Sequence, residues 1–599
     1  MSLARLTRNV ARFEGALVLL FGLGVQLVAD RKILVGKYVF QSDVRLVEFW
    51  MRRFRDADLF RDPLTEAMLD SGYVPPGFRA LYWMASRFVD PIQFSELLPL
   101  ILAPITAWLV FRIVRLHTAW WPAAWLGAIL FLLPIDIHRF SGGHQRAFAH
   151  LIVLLTVYLL LRRRVVWAAL VPPVGVLLYP AAAVVALGIL AVSALDPGRA
   201  RWIDVRRAGI AAGSAVAFAL AGLLPGRLSG QWPELITREV AHRYPDFGPN
   251  GRPRFFVPST LEYLSKNLSG FNLHWSGSIL VCTVIVLLLV RPRNVRLLRR
   301  EVWAMPLVGL VLFGLAHALL FRLYIPHRYT YPLLPFSAIA IAVAWKPTWQ
   351  SLIERRRRPW LVAVVGAAAT LAVGVAALIV FPLGLRLSPE DAASLLREKA
   401  WYVAGALAVG LVLAALAYRR SARWVAVAAV AAALLVGQVA AAGSDYNPGI
   451  QCRSVGLLRY LETLPKDTII AGNPVRLDCV PVVSQRAVVM NAKLFQVWEV
   501  GYWVIGRERM FDSIRAYYGE SLDDVLGLRE RYGADYLVVE DKLVLGGWGG
   551  FAPFTSVVKQ MRRTVDDPVV HRLPADCTTW TGKRYRVYDL ACIEERARS

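Results

Sequence analysis

The chain has 599 residues, 56% of them hydrophobic, a mean hydropathy of +0.46 and a formal net charge of +26. Its apolar residues fall in blocks near the length that crosses a bilayer, which excludes a soluble globular protein and makes the chain polytopic. In a soluble protein such a charge would point to nucleic acid. Here the arginines sit in short clusters between apolar blocks, where insertion bias places them, so the charge reports topology and no nucleic-acid partner is expected.

Arg5, Arg8 and Arg12 precede an apolar run that begins near Gly15, and no small-residue cleavage site follows, so the first span is expected to remain as an uncleaved anchor. Next comes a polar stretch, Gln41 to Asp90, beginning QSDVRLVEFWMRRFRDADLFRDP. It carries Asp43, Glu48, Asp56, Asp58 and Asp62 among arginines and aromatics, too many ionisable groups for hydrocarbon and too amphipathic for a mere connector. We read it, within a loop over 31–92, as a membrane-surface segment that presents carboxylates to a substrate.

Apolar runs predict about thirteen spans, beginning near Gly15, Phe94, Trp120, Ala147, Val165, Tyr179, Gly209, Ser276, Pro306, Tyr331, Trp360, Trp401 and Trp424. With a cytoplasmic N-terminus, alternation puts Arg112–Arg115, Arg162–Arg164, Arg199–Arg207, Arg291–Arg300, Arg355–Arg358 and Arg419–Arg423 all inside, as insertion bias requires. Pro172, Pro173 and Pro180 are expected to break one long run, Val165 to Leu195, into a hairpin of two short spans. The outer side then receives the first loop, a short loop Asp136 to Arg146, a long loop over 225–275, the links Arg322 to Thr330 and Gly384 to Lys399, and everything after Gly443.

Beyond Gly443 the composition changes. TIIAG, AVVMN and ADYLVVED read as strands, ERMFDSIRAYYG and LDDVLGLRERYG as helices, and the alternation suggests a small α/β domain over 444–599 behind a membrane domain over 1–443. Cys452, Cys479, Cys577 and Cys592 all fall there, an even number without CxxC spacing, which suits two disulfides in an oxidising compartment. Of three possible pairings the simplest joins Cys452 to Cys479 and Cys577 to Cys592. The fold class expected is therefore an all-α polytopic membrane protein with a small C-terminal α/β extracytoplasmic domain.

Three stretches carry chemistry. Asp43 heads a predicted helix, where it would serve either as an N-cap or as a general base for an acceptor hydroxyl, and Asp56, Asp58 and Asp62 repeat that ambiguity against a solvated face. In IDIHRFSGGHQRAFAH, Asp136, His138, Arg139, His144, Arg146 and His150 bracket a Gly-Gly turn. The three histidines are six apart, which scatters them around a helix and argues against a metal site, whereas arginine beside a Gly-rich turn and a helix start suits an anion or, more plainly, a snorkelling interface. In RLYIPHRYTYPLLPF, His327 and Arg328 stand at the mouth of a span where a lipid-linked phosphate could be held, and Tyr324, Tyr329 and Tyr331 fit an interfacial belt. His242, Arg243 and Lys266 add positive candidates in the long loop.

An uncleaved first span, an acidic first outer loop, GGxxRAFA leading into a span, a YP-broken hairpin and HRYxxPxxP entering a late span together resemble the C-fold integral-membrane glycosyltransferases (GT-C), especially bacterial ones, over roughly Gly15 to Trp345. The resemblance implies an inverting transferase of the bacterial inner membrane whose donor is a polyprenyl-phosphate sugar. The acceptor would be a glycan, lipid or protein at the outer face. It implies a base at Asp43 supported by Asp62, and donor-phosphate contacts from Arg146, His144, Arg328, His327, Arg243 and Lys266. Val44 stands where several relatives carry a second adjacent acid, so the second carboxylate and any divalent metal stay open. Two other readings compete: a transporter or lipid flippase, disfavoured because the spans are nearly free of charge, and a non-catalytic scaffold whose C-terminal domain binds a glycan or partner.

Overall fold

The computed structural model describes residues 3–132, 139–196, 202–229, 234–251, 255–257, 263, 297–323, 325–354, 449–541 and 553–599. Four described helices are long and apolar enough to cross a membrane, Phe13–Val35, Pro91–His117, Val205–Gly226 and Arg300–Ala318, and four shorter apolar helices join them. Helices occur at nine of the expected span positions. The spans expected near Ser276, Trp360, Trp401 and Trp424 lie outside the described residues, as do Cys282, Asp136, His138, Tyr324 and Lys266.

The first helix, Leu3–Val35, lies along Pro99–His117, which in turn packs on Trp121–Phe131 and Ala149–Leu161. The expected hairpin is present as Val165–Val176 and Pro180–Ser193, packed on each other. Its break is not where all three prolines stand. Pro172 and Pro173 lie inside the first helix, and the chain turns at Leu177–Tyr179, with Pro180 opening the next helix at a position where its missing N–H costs nothing.

Basic residues gather at one end of this bundle. Arg115, at the end of Pro99–His117, pairs with Glu14 at 3.5 Å. The Arg299 backbone N–H donates to His117 Nε2 at 3.1 Å, and its guanidinium reaches the Leu161 carbonyl at 3.4 Å. Arg300 donates to the Leu195 carbonyl at 2.7 Å and pairs with Asp196. The arginines therefore cap the carbonyl ends of several helices, the end at which a helix dipole favours cations.

At the opposite end the chain adds strand β1, Val39–Gln41, then two 3-10 turns, Ser42–Arg45 and Phe49–Phe54, in place of the helix expected at Asp43. Val44, Leu46, Val47, Phe49, Trp50 and Met51 are all buried, so this loop is packed rather than solvated. Its cover is the C-terminal unit. Strand β2, Gly449–Gln451, pairs antiparallel with β1. Arg45 meets Asp478 at 3.4 Å, Arg52 donates to the Val482 carbonyl at 2.6 Å, and Lys466 reaches Asp56 at 2.6 Å.

That unit is built on a five-stranded sheet of β3 (Ile469–Gly472), β4 (Ala487–Val488), β5 (Tyr536–Glu540), β6 (Thr578–Thr581) and β7 (Tyr585–Asp589), ordered β4-β3-β5-β7-β6. β3 runs parallel to β4 and β5, the arrangement that alternating strands and helices predict, and β6–β7 adds an antiparallel edge. Helices Val500–Tyr518 and Leu522–Tyr532 stand where helical spacing puts them, capped by Glu499 and Ser521. Both disulfides join the expected partners, Cys452–Cys479 and Cys577–Cys592.

Candidate functional site

Gln41 closes β1, and its side-chain carbonyl accepts the Asp43 backbone N–H at 2.5 Å, which turns the chain sharply. From the other side come Gly142 and Gly143, with φ of +82° and +58°. Glycine is required at both. A Cβ on Gly142 would stand 2.8 Å from the Gln41 side chain, and one on Gly143 would stand 2.8 Å from the Ser95 carbonyl oxygen. The close approach delivers His144 and Arg146 to Asp43.

Arg146 Nη1 contacts Asp43 Oδ2 at 2.6 Å, and Lys493 Nζ, from the C-terminal unit, donates to Asp43 Oδ1 at 2.6 Å and to Ser42 Oγ at 2.9 Å. Asp43 is thus neither an N-cap nor a solvated acid: it is one carboxylate between two cations. Burial pushes its carboxyl up, but the Lys493 ammonium and the Arg146 guanidinium outweigh this and hold the group well below the usual carboxylate range.

Beneath it lies a buried chain. His144, 3% exposed, sets Nε2 2.7 Å from Gln41 Oε1 and Nδ1 2.5 Å from Oε1 of Glu48, which is fully buried. Burial pushes the Glu48 carboxyl up.

A second cluster centres on Tyr331. Arg328 donates to its hydroxyl, Arg139 lies over its ring at 3.7 Å, His327 and His150 place their rings 5.7 and 6.2 Å from it, and Arg146 is within electrostatic reach. Arg146 Nε is buried and has no hydrogen-bond partner among the described residues, so this guanidinium keeps a donor for a further acceptor. Arg146 pairs with Asp43 and is within electrostatic reach of Tyr331.

The remaining expected residues stand elsewhere. Asp62 caps the helix Pro63–Asp70, its two oxygens accepting from the Thr65 hydroxyl at 2.7 Å and the Thr65 N–H at 3.0 Å, and burial pushes its carboxyl up. Arg243 sits on an exposed face of the helix Arg238–Arg243, paired with Glu239 at 3.1 Å. Lys266 lies outside the described residues. Among the described residues no group of three His, Cys, Asp or Glu side chains is placed to hold a metal ion.

Sequence reasoning passed over Lys493, Gln41 and the burial of Glu48. Lys493 is an isolated lysine two residues past a predicted strand, and nothing local ties it to Asp43, 450 positions away. A cavity of about 510 Å³ adjoins this end, walled by Ile33, Val35 and Ile92 on its apolar side and by the Arg52–Asp90 pair and Glu96 on its polar side. Asp43, Arg146 and Arg328 do not line it.

No protein-family model matches the sequence, and no curated protein matches it. Solved structures do. ArnT from Cupriavidus metallidurans in the apo state matches with a TM-score of 0.51 at 14% identity, covering 98% of this chain and 99% of that one. The same protein bound to undecaprenyl phosphate matches with a TM-score of 0.54 at 14% identity, covering 96% and 97%. An oligosaccharyltransferase from Archaeoglobus fulgidus gives a TM-score of 0.48 at 12% identity over 88% of this chain and 70% of that one. At these identities the likeness to ArnT is one of fold.

Proposed function

We propose that the protein is a membrane glycosyltransferase that moves a sugar from a polyprenyl-phosphate carrier to an acceptor at the outer face of the bacterial inner membrane, with inversion at the anomeric carbon. The observation that carries this is the meeting of Asp43 with Arg146 at the bundle end opposite the capping arginines, where Arg146 is also within electrostatic reach of Tyr331. Support comes from the fold neighbour that binds undecaprenyl phosphate. The membrane domain would span 1–443 and the α/β domain 444–599. Insertion bias puts the arginine-capped end in the cytoplasm, leaving the site and the disulfide-bearing domain outside.

In this reading Asp43 takes the acceptor's proton as the acceptor attacks the anomeric carbon. The bond from that carbon to the phosphate oxygen breaks, its electron pair stays with the phosphate, and Arg146 and Arg328 balance the departing charge. Asp62 and Arg243 keep their cap and surface pair and take no direct part.

One observation favours a second reading, a non-catalytic scaffold: Asp43 is tied in ion pairs. The two separate in proteoliposomes supplied with undecaprenyl-phosphate sugars. A glycosyltransferase transfers the sugar, and Asp43→Asn, inserted normally, loses transfer. Retained transfer by that variant removes the assigned base, and no transfer by the unaltered protein with any donor leaves the scaffold.

A further inference from the structure

We infer that Lys493 is a shuttling cation. It is the counter-ion of Asp43 before the donor arrives and a contact of the donor's phosphate once it is bound, so the C-terminal unit completes the site. The inference rests on the lipid-phosphate donor proposed above and adds the residue and the exchange.

The mounting of Lys493 is fixed, and its tip is held by Asp43 and Ser42. Its backbone N–H donates to Asp478 Oδ1 at 3.0 Å, and Asp478 Oδ2 meets Arg45 at 3.4 Å, two residues from Asp43. Asp478 adjoins Cys479, which is bonded to Cys452, and the Cys452 N–H donates to the Tyr38 carbonyl at 2.8 Å beside the β1–β2 pair. The base of the side chain is therefore clamped to the first loop from two directions. The ammonium stands at the end of a flexible four-carbon stem, and its side chain is 14% exposed.

The reaction supplies the reason to move. A sugar–phosphate–lipid diester carries one negative charge and the released lipid phosphate carries two. Asp43 begins charged and ends neutral, having taken the acceptor's proton. Total charge is conserved, but one negative charge passes from Asp43 to the phosphate. A cation fixed on Asp43 would oppose that transfer, because it favours the reactant state and holds the base weak. A cation that follows the charge favours the product side. Lys493 and Arg146 both contact the carboxylate, and Arg146 is also within electrostatic reach of Tyr331, to which Arg328 donates, so a phosphate paired with Arg146 would sit beside the carboxylate that Lys493 holds. Asp43, Arg146 and Lys493 are not among the residues that wall the cavity beside them, and a phosphate paired with Arg146 and Lys493 would replace Asp43 as their partner.

The test measures binding of undecaprenyl phosphate itself, without sugar or acceptor, to the full chain in nanodiscs. Lys493→Ala should weaken binding roughly tenfold or more, the loss expected for one charge-assisted contact, and Lys493→Arg should restore most of it. Asp43→Asn should tighten binding, because it removes the carboxylate that competes for both cations. Binding by the unaltered protein that neither Lys493→Ala nor Asp43→Asn changes overturns the shuttle and leaves the carrier assignment standing. No binding by the unaltered protein overturns the carrier assignment and the shuttle together.

Discussion

The proton between Glu48 and His144 can be counted from the geometry. Gln41 Oε1 accepts from the Asp43 backbone N–H at 2.5 Å and faces His144 Nε2 at 2.7 Å, so that atom is a carbonyl oxygen and Nε2 carries a hydrogen. A single further proton then lies between Nδ1 and Glu48 Oε1, 2.5 Å apart. Wherever it rests, the pair is neutral as a unit and presents an N–H toward Gln41. Glu48 Oε2 is buried with no hydrogen-bond partner among the described residues, which makes a full charge on this carboxyl costly and agrees with the upward push of burial. Glu48→Gln should therefore be mild. Its amide N–H donates to a neutral Nδ1, and exchanging a charge-assisted bond for a neutral one costs about 1 kcal/mol. Glu48→Ala leaves Nδ1 buried and unpaired and opens a void, a loss of about 2–4 kcal/mol. Thermal unfolding of the three purified proteins in one detergent should rank them unaltered, Glu48→Gln, Glu48→Ala, with the first two close together. A Glu48→Gln variant as damaged as Glu48→Ala would show that the site needs the charge and not the shared proton, and the counting would be wrong.

Gly143→Ala should cost about 2 kcal/mol or more, since an alanine at φ +58° with its Cβ 2.8 Å from a backbone oxygen must move the turn that carries His144 and Arg146. Gly24→Ala, where a Cβ meets nothing within 4 Å, is the matched control and should be neutral in the same thermal scan. Acidity should act on Asp43 and Glu48 with opposite sign. The folded-state value of Asp43 is depressed, so its contribution to stability is present above the ordinary carboxylate value of about 3.9 and is lost as pH falls through the lower folded value. The value of Glu48 is raised, so its contribution is present in acid and is lost as pH rises through the raised value. Scans across pH should show Asp43→Asn without the acid-side loss and Glu48→Gln without the loss on the rising side.

Most of the membrane architecture was legible because hydrocarbon imposes a length and a composition that any span must show. The two disulfides were legible because short separations within one compact unit leave few alternatives. The hairpin shows the limit. Three prolines marked it, but only Pro180 stands at the break, because Pro172 and Pro173 are tolerated inside an apolar helix. Asp43, Arg146 and Arg328 could be singled out because a charged group beside an apolar span needs a reason. Their neighbours could not. Glu48 reads as one more loop acid until the C-terminal unit buries the loop, and β1 and β2 are three residues each, too short for any alternation to show.

The burial of the first loop changes what the acid cluster can mean. A solvated loop could offer Asp43 to any acceptor from the aqueous side, and its carboxylate would need no cations to persist. Covered by β2, Arg45–Asp478 and Lys493, the carboxylate survives as an anion because two cations hold it, and each of those pairs is worth less to the fold than its removal would cost. Such a cluster is poised for exchange. In the proposed exchange a phosphate would replace one anionic partner of Arg146 and Lys493 with another, so the desolvation of the cations would already have been met in the resting protein. The same proposed exchange would release Asp43 from the charges that depress its carboxyl, and its basicity would rise with the proposed donor in place. An acid held weak until its substrate's phosphate draws the cations away would spare the donor from idle attack by water, and it would make transfer depend on a lysine carried by the domain that covers the loop.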